Sequence, residues 1–433
     1  MFDSNMVHVA YALDDNYLMY TCISITSLLD NTTREVCLHV LESRLSQGSK
    51  DILQRVVLKN SRAKVHFHHI CDDEGFPVDE SGGSYLTPET YYRVLLPEYL
   101  PNIDKLIWLD GDTLIEGDIG ELYDCDLDGF PIGAVVQDFS VNEHEHELEL
   151  EFGTYFNAGV LLLDLNKLRT FDLSRKVRNV APVLYSRYKS TGLSFFADQD
   201  CLNYLFKSNY KRLPPKYNFV MAGYSVEREI YSIEDYAESM RNPAIVHAGG
   251  KHYACLCNRN NRMTYKFNAL TEKVEKYIEA LEVPMFSSRQ KRTVAEYLRL
   301  REQTKKFLSP FDAILLYRED FYIETAKKTS LINPKKLAIW GSRNDTVTRM
   351  LVITLKSYGV NVDLLVDGMV QNQGSLVFGI PIQSPEVLLN SNERYFVLLT
   401  MQTDTTVKKI ETSLMQNKYS ADDYYHVYNS AYV

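Results

Sequence analysis

An unbroken apolar run, Leu106-Ile107-Trp108-Leu109, leads straight into Asp110-Gly111-Asp112. A run that short and continuous predicts a strand buried on both faces, as in a mostly parallel sheet. Ending such a strand in two carboxylates is costly unless they find a partner, and a divalent cation is a natural one. Ligands of open α/β sheets gather at the carboxyl ends of strands, where this pair falls. The competing reading is a solvated turn, for which Asp and Gly are ordinary residues. The run alone does not decide between them.

The flanking sequence has the strand–turn–helix rhythm that such a sheet requires. Val7–Ala12 reads as a first strand, Leu13–Tyr17 as a polar turn and Leu18–Leu29 as an apolar helix. A second strand (Val36–Leu41), a helix (Ser49–Lys59) and a third strand (Lys64–His69) follow, which predicts a Rossmann-like α/β fold. The first turn has no Gly-x-Gly-x-x-Gly, so a dinucleotide fingerprint is absent there. Asp14 and Asn16 in that turn can bond the edges of a base or ribose, or cap the helix. His66, His68 and His69 read as surface or satisfied core histidines, because no spaced carboxylates complete a metal set.

Thr87–Leu96 predicts a helix carrying Tyr91, Tyr92 and Arg93 just ahead of the Asp110 strand. Arg93 can grip a diphosphate with two bonds or pair with a nearby Asp. Phe130–Gln137 and Tyr155–Asp164 predict further strands, and the second opens on Asn157-Ala158-Gly159. Between them, Glu143–Glu151 alternates Glu with His or Leu, and charge this dense predicts a solvated loop or helix face rather than a metal site. Asp198-Gln199-Asp200 opens a helix, where carboxylates favour the positive N-terminus. Ile245–His252 predicts a short strand in which His247, a metal-ligand type, precedes Gly249, Gly250 and the phosphate-binding type Lys251.

At 433 residues the chain is too long for one ordinary core. A net charge of −10 supplies no basic field for nucleic acid. The 7 cysteines lack framework spacing, which predicts a reducing compartment, and Cys255-Leu256-Cys257 lacks the second half of a zinc site. No apolar span approaches the ~20 residues of a transmembrane helix. Met1-Phe2-Asp3-Ser4 lacks the layout of a signal peptide, so the expected location is cytoplasmic. Residues 258–337 break the acidic trend, with 17 Lys and Arg against 10 Asp and Glu. Amphipathic helices expected at Thr271–Leu281 and Thr293–Phe307 can form a linker, attract an acidic partner or rest on an anionic membrane. The linker is preferred, with peripheral contact at the inner membrane face as the second reading.

The C-terminal stretch predicts a small Rossmann-like unit, with strands at Lys336–Gly341, Val360–Val366 and Tyr395–Thr400 around a helix at Thr346–Tyr358. Its turn, Gly341-Ser342-Arg343-Asn344, lacks the later glycines of a dinucleotide site, which favours a structural or partner-binding role. The expected domains are residues 1–265, a basic helical segment 266–334, and residues 335–433.

Ala12-Leu13-Asp14-Asp15-Asn16-Tyr17, Trp108-Leu109-Asp110-Gly111-Asp112, Phe156-Asn157-Ala158-Gly159-Val160 and Asp198-Gln199-Asp200 stand in an order and spacing that resemble glycosyltransferase family 8. This retaining group includes bacterial lipopolysaccharide galactosyl- and glucosyltransferases and glycogenin. The resemblance covers about residues 5–265. It implies a GT-A fold, a UDP-glucose or UDP-galactose donor, and a Mn²⁺ or Mg²⁺ ion. On that analogy Asp110 and Asp112 form the family's D-x-D, with Gly111 between them at the donor, and His247 is the third protein ligand. Ala12, Asp14 and Asn16 match uridine-contacting positions, and Arg93 matches the donor-contacting arginine. Asn157 and Asp198 match residues near the transferred sugar, Gln199 the residue beneath the anomeric carbon, and Gly250 and Lys251 the diphosphate site. The family usually follows that lysine with Pro-Trp. Here His252-Tyr253 follow on a shorter loop, which leaves Gly249 as an alternative to Gly250.

The implied reaction moves a hexose to a hydroxyl of a glycan, glycolipid or glycosylated protein, in cell-surface glycan or adhesin glycosylation. An amide is a poor nucleophile, so Gln199 reads as an electrostatic and positioning group, with the acceptor attacking on the face the diphosphate leaves. No acid/base pair of the hydrolase kind is evident. A haloacid-dehalogenase-like phosphatase loop would place its glycine after the second Asp and on the first strand, which does not match. The other alternative is a catalytically weak nucleotide-sugar- or glycan-binding protein on the same fold. Asp110, Asp112, His247 and Lys251 together argue against it.

Overall fold

The expected alternation builds one sheet around the strand that ends at Asp110. In the computed structural model β1 (Met6–Ala12), β2 (Glu35–Glu42) and β3 (Ala63–His69) pair in parallel, joined by α1 (Leu18–Asn31) and α2 (Gln47–Leu58). The chain then passes through a 3-10 turn (Pro88–Tyr91) and α3 (Tyr92–Tyr99), and β4 (Lys105–Leu109) pairs with the other side of β1. That reversal between β1 and β4 is a topological switch point, and the loops after both strands border the same crevice. The structure describes residues 6–71, 75–78, 87–138, 141–220, 226–248, 269, 272–274, 276, 318–401 and 404–427.

Next come β5 (Thr113–Ile115), α4 (Ile119–Asp124), β6 (Ile132–Val136), α5 (Asn142–Glu147), β7 (Phe156–Asp164), α6 (Leu165–Phe171), α7 (Leu173–Thr191) and α8 (Asp198–Phe206). After them β8 (Lys211–Arg212) and β9 (Phe219–Val220) precede α9 (Ile233–Arg241) and β10 (Ile245–His247). The main sheet has the order β3-β2-β1-β4-β7-β6-β8, and β7 is antiparallel to both its neighbours. A second sheet, β5-β10-β9, lies beyond the end of β4. All of Leu106–Leu109 is buried. Helix α1 is buried along most of its length, so its small hydroxyls need internal partners. Ser24 Oγ lies 3.0 Å from Tyr11 Oη and 2.9 Å from Thr113 Oγ1, which ties α1 to the strand that leaves the Asp110 turn.

Glu143–Glu151 is solvated only in part: Glu143, His146, Glu149 and Glu151 are exposed, as expected, but the inner side of the segment is not. His144 and Glu145 are buried, and Glu145 Oε1 accepts from the backbone N–H groups of Gly153, Thr154 and Tyr155. A carboxylate that satisfies three orphan donors belongs inside, whatever the charge density around it.

The chain divides into two compact units, Met1–Tyr224 with Asn242–Arg299, and Ser225–Arg241 with Leu300–Val433. The second contains α10 (Arg318–Ile332), β11 (Leu337–Trp340), α11 (Thr346–Ser357), β12 (Leu364–Val366), β13 (Leu376–Val377) and β14 (Ile380–Gln383). It continues with α12 (Pro385–Leu389), β15 (Phe396–Leu399), α13 (Asp404–Gln416) and β16 (Tyr424–His426). The strand order is β13-β14-β12-β11-β15-β16, a Rossmann-like layer whose only antiparallel pairing is β13 with β14. Both α9 and α10 pack on α11 within this unit. Glu229 pins the α9 segment there, accepting from Arg349 Nε at 3.1 Å and from Phe378 N at 2.8 Å. At the start of α11 the Asp345 carboxylate accepts from Thr348 N at 3.0 Å. A protein carboxylate thus occupies the place at a helix N-terminus that a phosphate would seek.

No helix among the described residues is long and apolar enough to cross a membrane. Thr293–Phe307 and most of Thr271–Leu281 lie outside the described residues.

Candidate active site

The second sheet brings His247 to the carboxylates. His247 is in register with Thr113, and Ala248 N donates to Asp112 O at 3.0 Å, which zips β10 beside the Asp110-Gly111-Asp112 turn. Ligand atoms of Asp110, Asp112 and His247 converge within 4.8 Å of one another. His247 Nε2 is 3.2 Å from Asp112 Oδ1 and 3.9 Å from Asp110 Oδ2. Neighbouring donors around an octahedral ion at ~2.1 Å are about 3 Å apart; the Asp112–His247 pair is near that spacing and Asp110 would have to move inward. Burial opposes a charged His247, but the Asp112 and Asp110 carboxylates together outweigh it and hold the imidazole above its usual pKa.

Asn218 fixes the ring. His247 Nδ1 lies 3.0 Å from Asn218 Oδ1, while Asn218 Nδ2 donates to Asn157 Oδ1 at 2.9 Å. With its oxygen turned toward the ring, Asn218 accepts from Nδ1–H, which leaves Nε2 as the ring atom that would ligate a cation displacing its proton from Asp112. Two carboxylates and one oriented imidazole are a donor set that could hold a divalent ion. Glycine at 159 is part of this design. A Cβ there would sit 2.1 Å from His247 Cε1.

Arg93 provides the balancing positive charge. Its Nη2 is 2.9 Å from Asp110 Oδ1, and its Nε is 2.8 Å from Asp198 Oδ2. The second contact lacks hydrogen-bond alignment, so its attraction is chiefly Coulombic. Arg93 Nη1 also donates to Ala158 O, and the guanidinium lies 4.7 Å over the Trp108 ring, whose Nε1 donates to Asp110 Oδ1 at 2.9 Å. Of the two roles open to Arg93 from sequence, pairing with aspartate is the one the structure displays. Burial pushes Asp198 up to about 7, with Arg93 opposing and Asp110 adding to the shift.

Arg93→Met is therefore expected to destabilise the metal-free protein by about 3 kcal/mol, since it leaves buried carboxylates without their cation. The sign with pH follows from Asp198. Its folded pKa is above the unfolded value, so protonation favours the folded state, and the carboxylate needs Arg93 only where it is ionised. The deficit should be larger at about pH 8 than at about pH 6, as read from thermal melts in EDTA. Equal deficits at both would assign the loss to packing on Trp108 instead.

Around the sugar-side candidates, β7 departs from regular pairing. Val135 pairs with Asn157 while Ala134 pairs with Leu161, an irregularity that re-aims residues 157–160. Side chains then hold the bulge. Gln199 Oε1 accepts from Ala158 N at 2.9 Å, and Asn203 brackets Phe156 through its N–H (2.8 Å) and its carbonyl (2.9 Å). Asn157 Oδ1 accepts from Gly159 N at 2.9 Å and Asn157 Nδ2 donates to Gln137 at 3.2 Å. Gln199 Nε2 donates to Tyr155 Oη (3.1 Å), which donates to Asp200 (2.7 Å). Burial pushes Asp200 up to about 6.

The structure thus gathers Asp110, Asp112, His247, Arg93, Asn157, Asp198 and Gln199 into one connected set. Ala12 ends β1 at the same sheet edge, and Asp14 forms an Asx turn, accepting from Asn16 N (3.0 Å) and Tyr17 N (3.1 Å). Tyr17 joins this loop to the Asp110-Gly111-Asp112 turn. Its Cδ1 would lie 3.6 Å from a Cβ on Gly111, and Thr21 Oγ1 only 2.6 Å. Gly250 and Lys251 lie outside the described residues. Asn218, Tyr155 and Asn203 emerge only from the structure, because nothing in their sequence surroundings marks them.

Comparison with known proteins agrees in extent with this unit. The family model for glycosyl transferase family 8 matches residues 8–252. A putative glycosyltransferase of Haemophilus influenzae is 29% identical over 221 residues, 50% of this chain and 64% of that protein. A lipopolysaccharide 1,2-glucosyltransferase of Escherichia coli is 27% identical over 235 residues, 52% of this chain and 65% of that protein. The chain thus spans slightly under two thirds of both. Among solved structures, the galactosyltransferase LgtC in complex with donor and acceptor sugar analogues is 26% identical with a TM-score of 0.51. That match covers 63% of this chain and all of LgtC.

Proposed function

The chain belongs to glycosyltransferase family 8, and on that premise we propose that it moves glucose or galactose from a UDP-sugar to an acceptor hydroxyl with retention. The observation that carries this reading is the convergence of Asp110, Asp112 and His247 at the switch point of a GT-A sheet. Relatives described as a lipopolysaccharide glucosyltransferase and a galactosyltransferase favour these two hexoses. We take the acceptor to be a glycan, a glycolipid or a glycosylated protein. The proposed setting is cytoplasmic, with the basic segment 266–334 as a linker and contact with the inner face of the membrane as the second reading.

Asp110, Asp112 and His247 would hold Mn²⁺ or Mg²⁺, which supplies positive charge against the departing diphosphate. The protein's own groups do the rest. Arg93 keeps the carboxylates paired and adds fixed positive charge on the donor side. Gln199 has its carbonyl oxygen engaged by Ala158 N, so it acts by positioning and by its dipole rather than as a nucleophile. Asn157 and Asp198 border the place the hexose would occupy. Lys251 and Gly250 are assigned to the diphosphate, and Ala12, Asp14 and Asn16 to uridine. The acceptor hydroxyl then attacks on the face that the diphosphate leaves.

A panel of UDP-sugars with Mn²⁺ tests the reading. Slow UDP release from UDP-glucose or UDP-galactose, abolished by EDTA, is expected even without acceptor. Neither binding nor turnover with any UDP-sugar would exclude the transferase.

A further inference from the structure

We propose that His8, Cys37 and His39 form a second metal site, suited to Zn²⁺ or another borderline-soft divalent ion and separate from the catalytic carboxylates. β1 and β2 pair with His8 opposite Cys37, and His39 lies two residues further along the same face. One ligand atom from each of the three falls within 4.8 Å of the others, and His8 Nδ1 and His39 Nε2 are 3.0 Å apart. A tetrahedral zinc ion with Zn–N of ~2.0–2.1 Å and Zn–S of ~2.3 Å spaces its donors at roughly 3.3–3.7 Å, so small side-chain adjustments suffice.

The surroundings suit ligation. His39 Nδ1 lies 3.1 Å from His68 Nε2, the outer hydrogen bond that orients a ligating imidazole. Cys37 and His39 are buried while His8 is half-buried, which leaves an approach for the ion and a fourth position for water. The thiolate and absence of carboxylates select against Mn²⁺ and Mg²⁺. Lys64 pairs with Cys37 on the other side of β2. Burial raises the Cys37 thiol's pKa and the Lys64 charge only partly opposes this, so the ion itself must displace the proton; the bound thiolate then offsets one of the ion's two charges. On binding, Cys37 Sγ loses its proton to solvent as the sulfur–metal bond forms, and no oxidation state changes. The competing arrangement is a hydrogen-bonded ladder, His8–His39–His68, in which Cys37 has no part.

Cobalt titration of the full chain separates the two. Co²⁺ bound by Asp110, Asp112 and His247 gives no sulfur charge-transfer band, whereas Cys37 gives one in the near ultraviolet. One equivalent of thiolate-bound Co²⁺ is expected in the wild type and in Asp112→Ala, displaced by Zn²⁺ and missing in Cys37→Ser. His8→Asn, at a half-buried position that spares the core, should weaken binding at least about tenfold, guarding against misfolding of Cys37→Ser. Wild type without the band, or a band that persists in Cys37→Ser, would overturn the proposal.

Discussion

Asp112→Ala is expected to lower kcat/KM for hexosyl transfer by at least about 10³-fold, equivalent to about 4 kcal/mol of transition-state stabilisation. Three observations make this the most exposed point of the site. Asp112 is one of the three metal-ligand-type groups that converge there among the described residues, and it is the nearer carboxylate to His247 Nε2, at 3.2 Å. It is also buried, so bulk water cannot easily replace its negative charge. Without it, burial alone acts on His247 from that side, and the imidazole drifts toward the neutral form. Outer hydrogen-bond partners of metal ligands are worth 10–100-fold in affinity or activity, and a direct ligand should exceed that. Asp112→Asn keeps the shape and removes the charge, so it should behave nearly as badly. Mn²⁺ binding followed by electron paramagnetic resonance, beside UDP release, distinguishes a lost ion from a lost fold. Wild-type turnover in Asp112→Ala would remove the metal from the mechanism.

The sequence carried the strand far better than the site. Leu106–Leu109 is legible because a strand buried on both faces must be apolar at every position. The two carboxylates after it are legible as an expense that needs a partner. His247 is harder, since its approach depends on β10 pairing antiparallel with β5, and residues 113–115 do not announce a strand. Asn218 is not legible at all. It reaches Asn157 across 61 residues of sequence and His247 across 29, and an isolated asparagine gives no pattern to read. Glu143–Glu151 shows the opposite failure, where a loud charge pattern hid a buried carboxylate bonded to three backbone N–H groups. Ser225–Arg241 likewise looks like part of the first unit by position, yet Glu229 and α9 pack into the second. Local period is written in the sequence; the partner of a lone polar side chain is not.

Gly159→Ala is expected to eliminate Mn²⁺ binding and to cost about 3 kcal/mol of stability by overpacking. Ala158 is clamped through its N–H by Gln199 and through its carbonyl by Arg93, so the backbone leading into Gly159 has little room to retreat. A Cβ would meet His247 Cε1 at 2.1 Å and Nδ1 at 2.7 Å. The ring must then leave both Asn218 and Asp112, and with it goes the third ligand. Gly111→Ala offers the control within the same turn. There the obstacle is Thr21 Oγ1 at 2.6 Å, the end of a side chain that can change rotamer. The backbone at neither glycine lies in the left-handed region, so the difference is steric rather than conformational. Gly111→Ala should therefore retain much of the Mn²⁺ affinity, and adding Thr21→Ala should restore more of it. No second substitution can do the same for Gly159→Ala, because the group in the way is the proposed ligand itself. Wild-type Mn²⁺ affinity in Gly159→Ala would mean that His247 is not held where the metal assignment requires it.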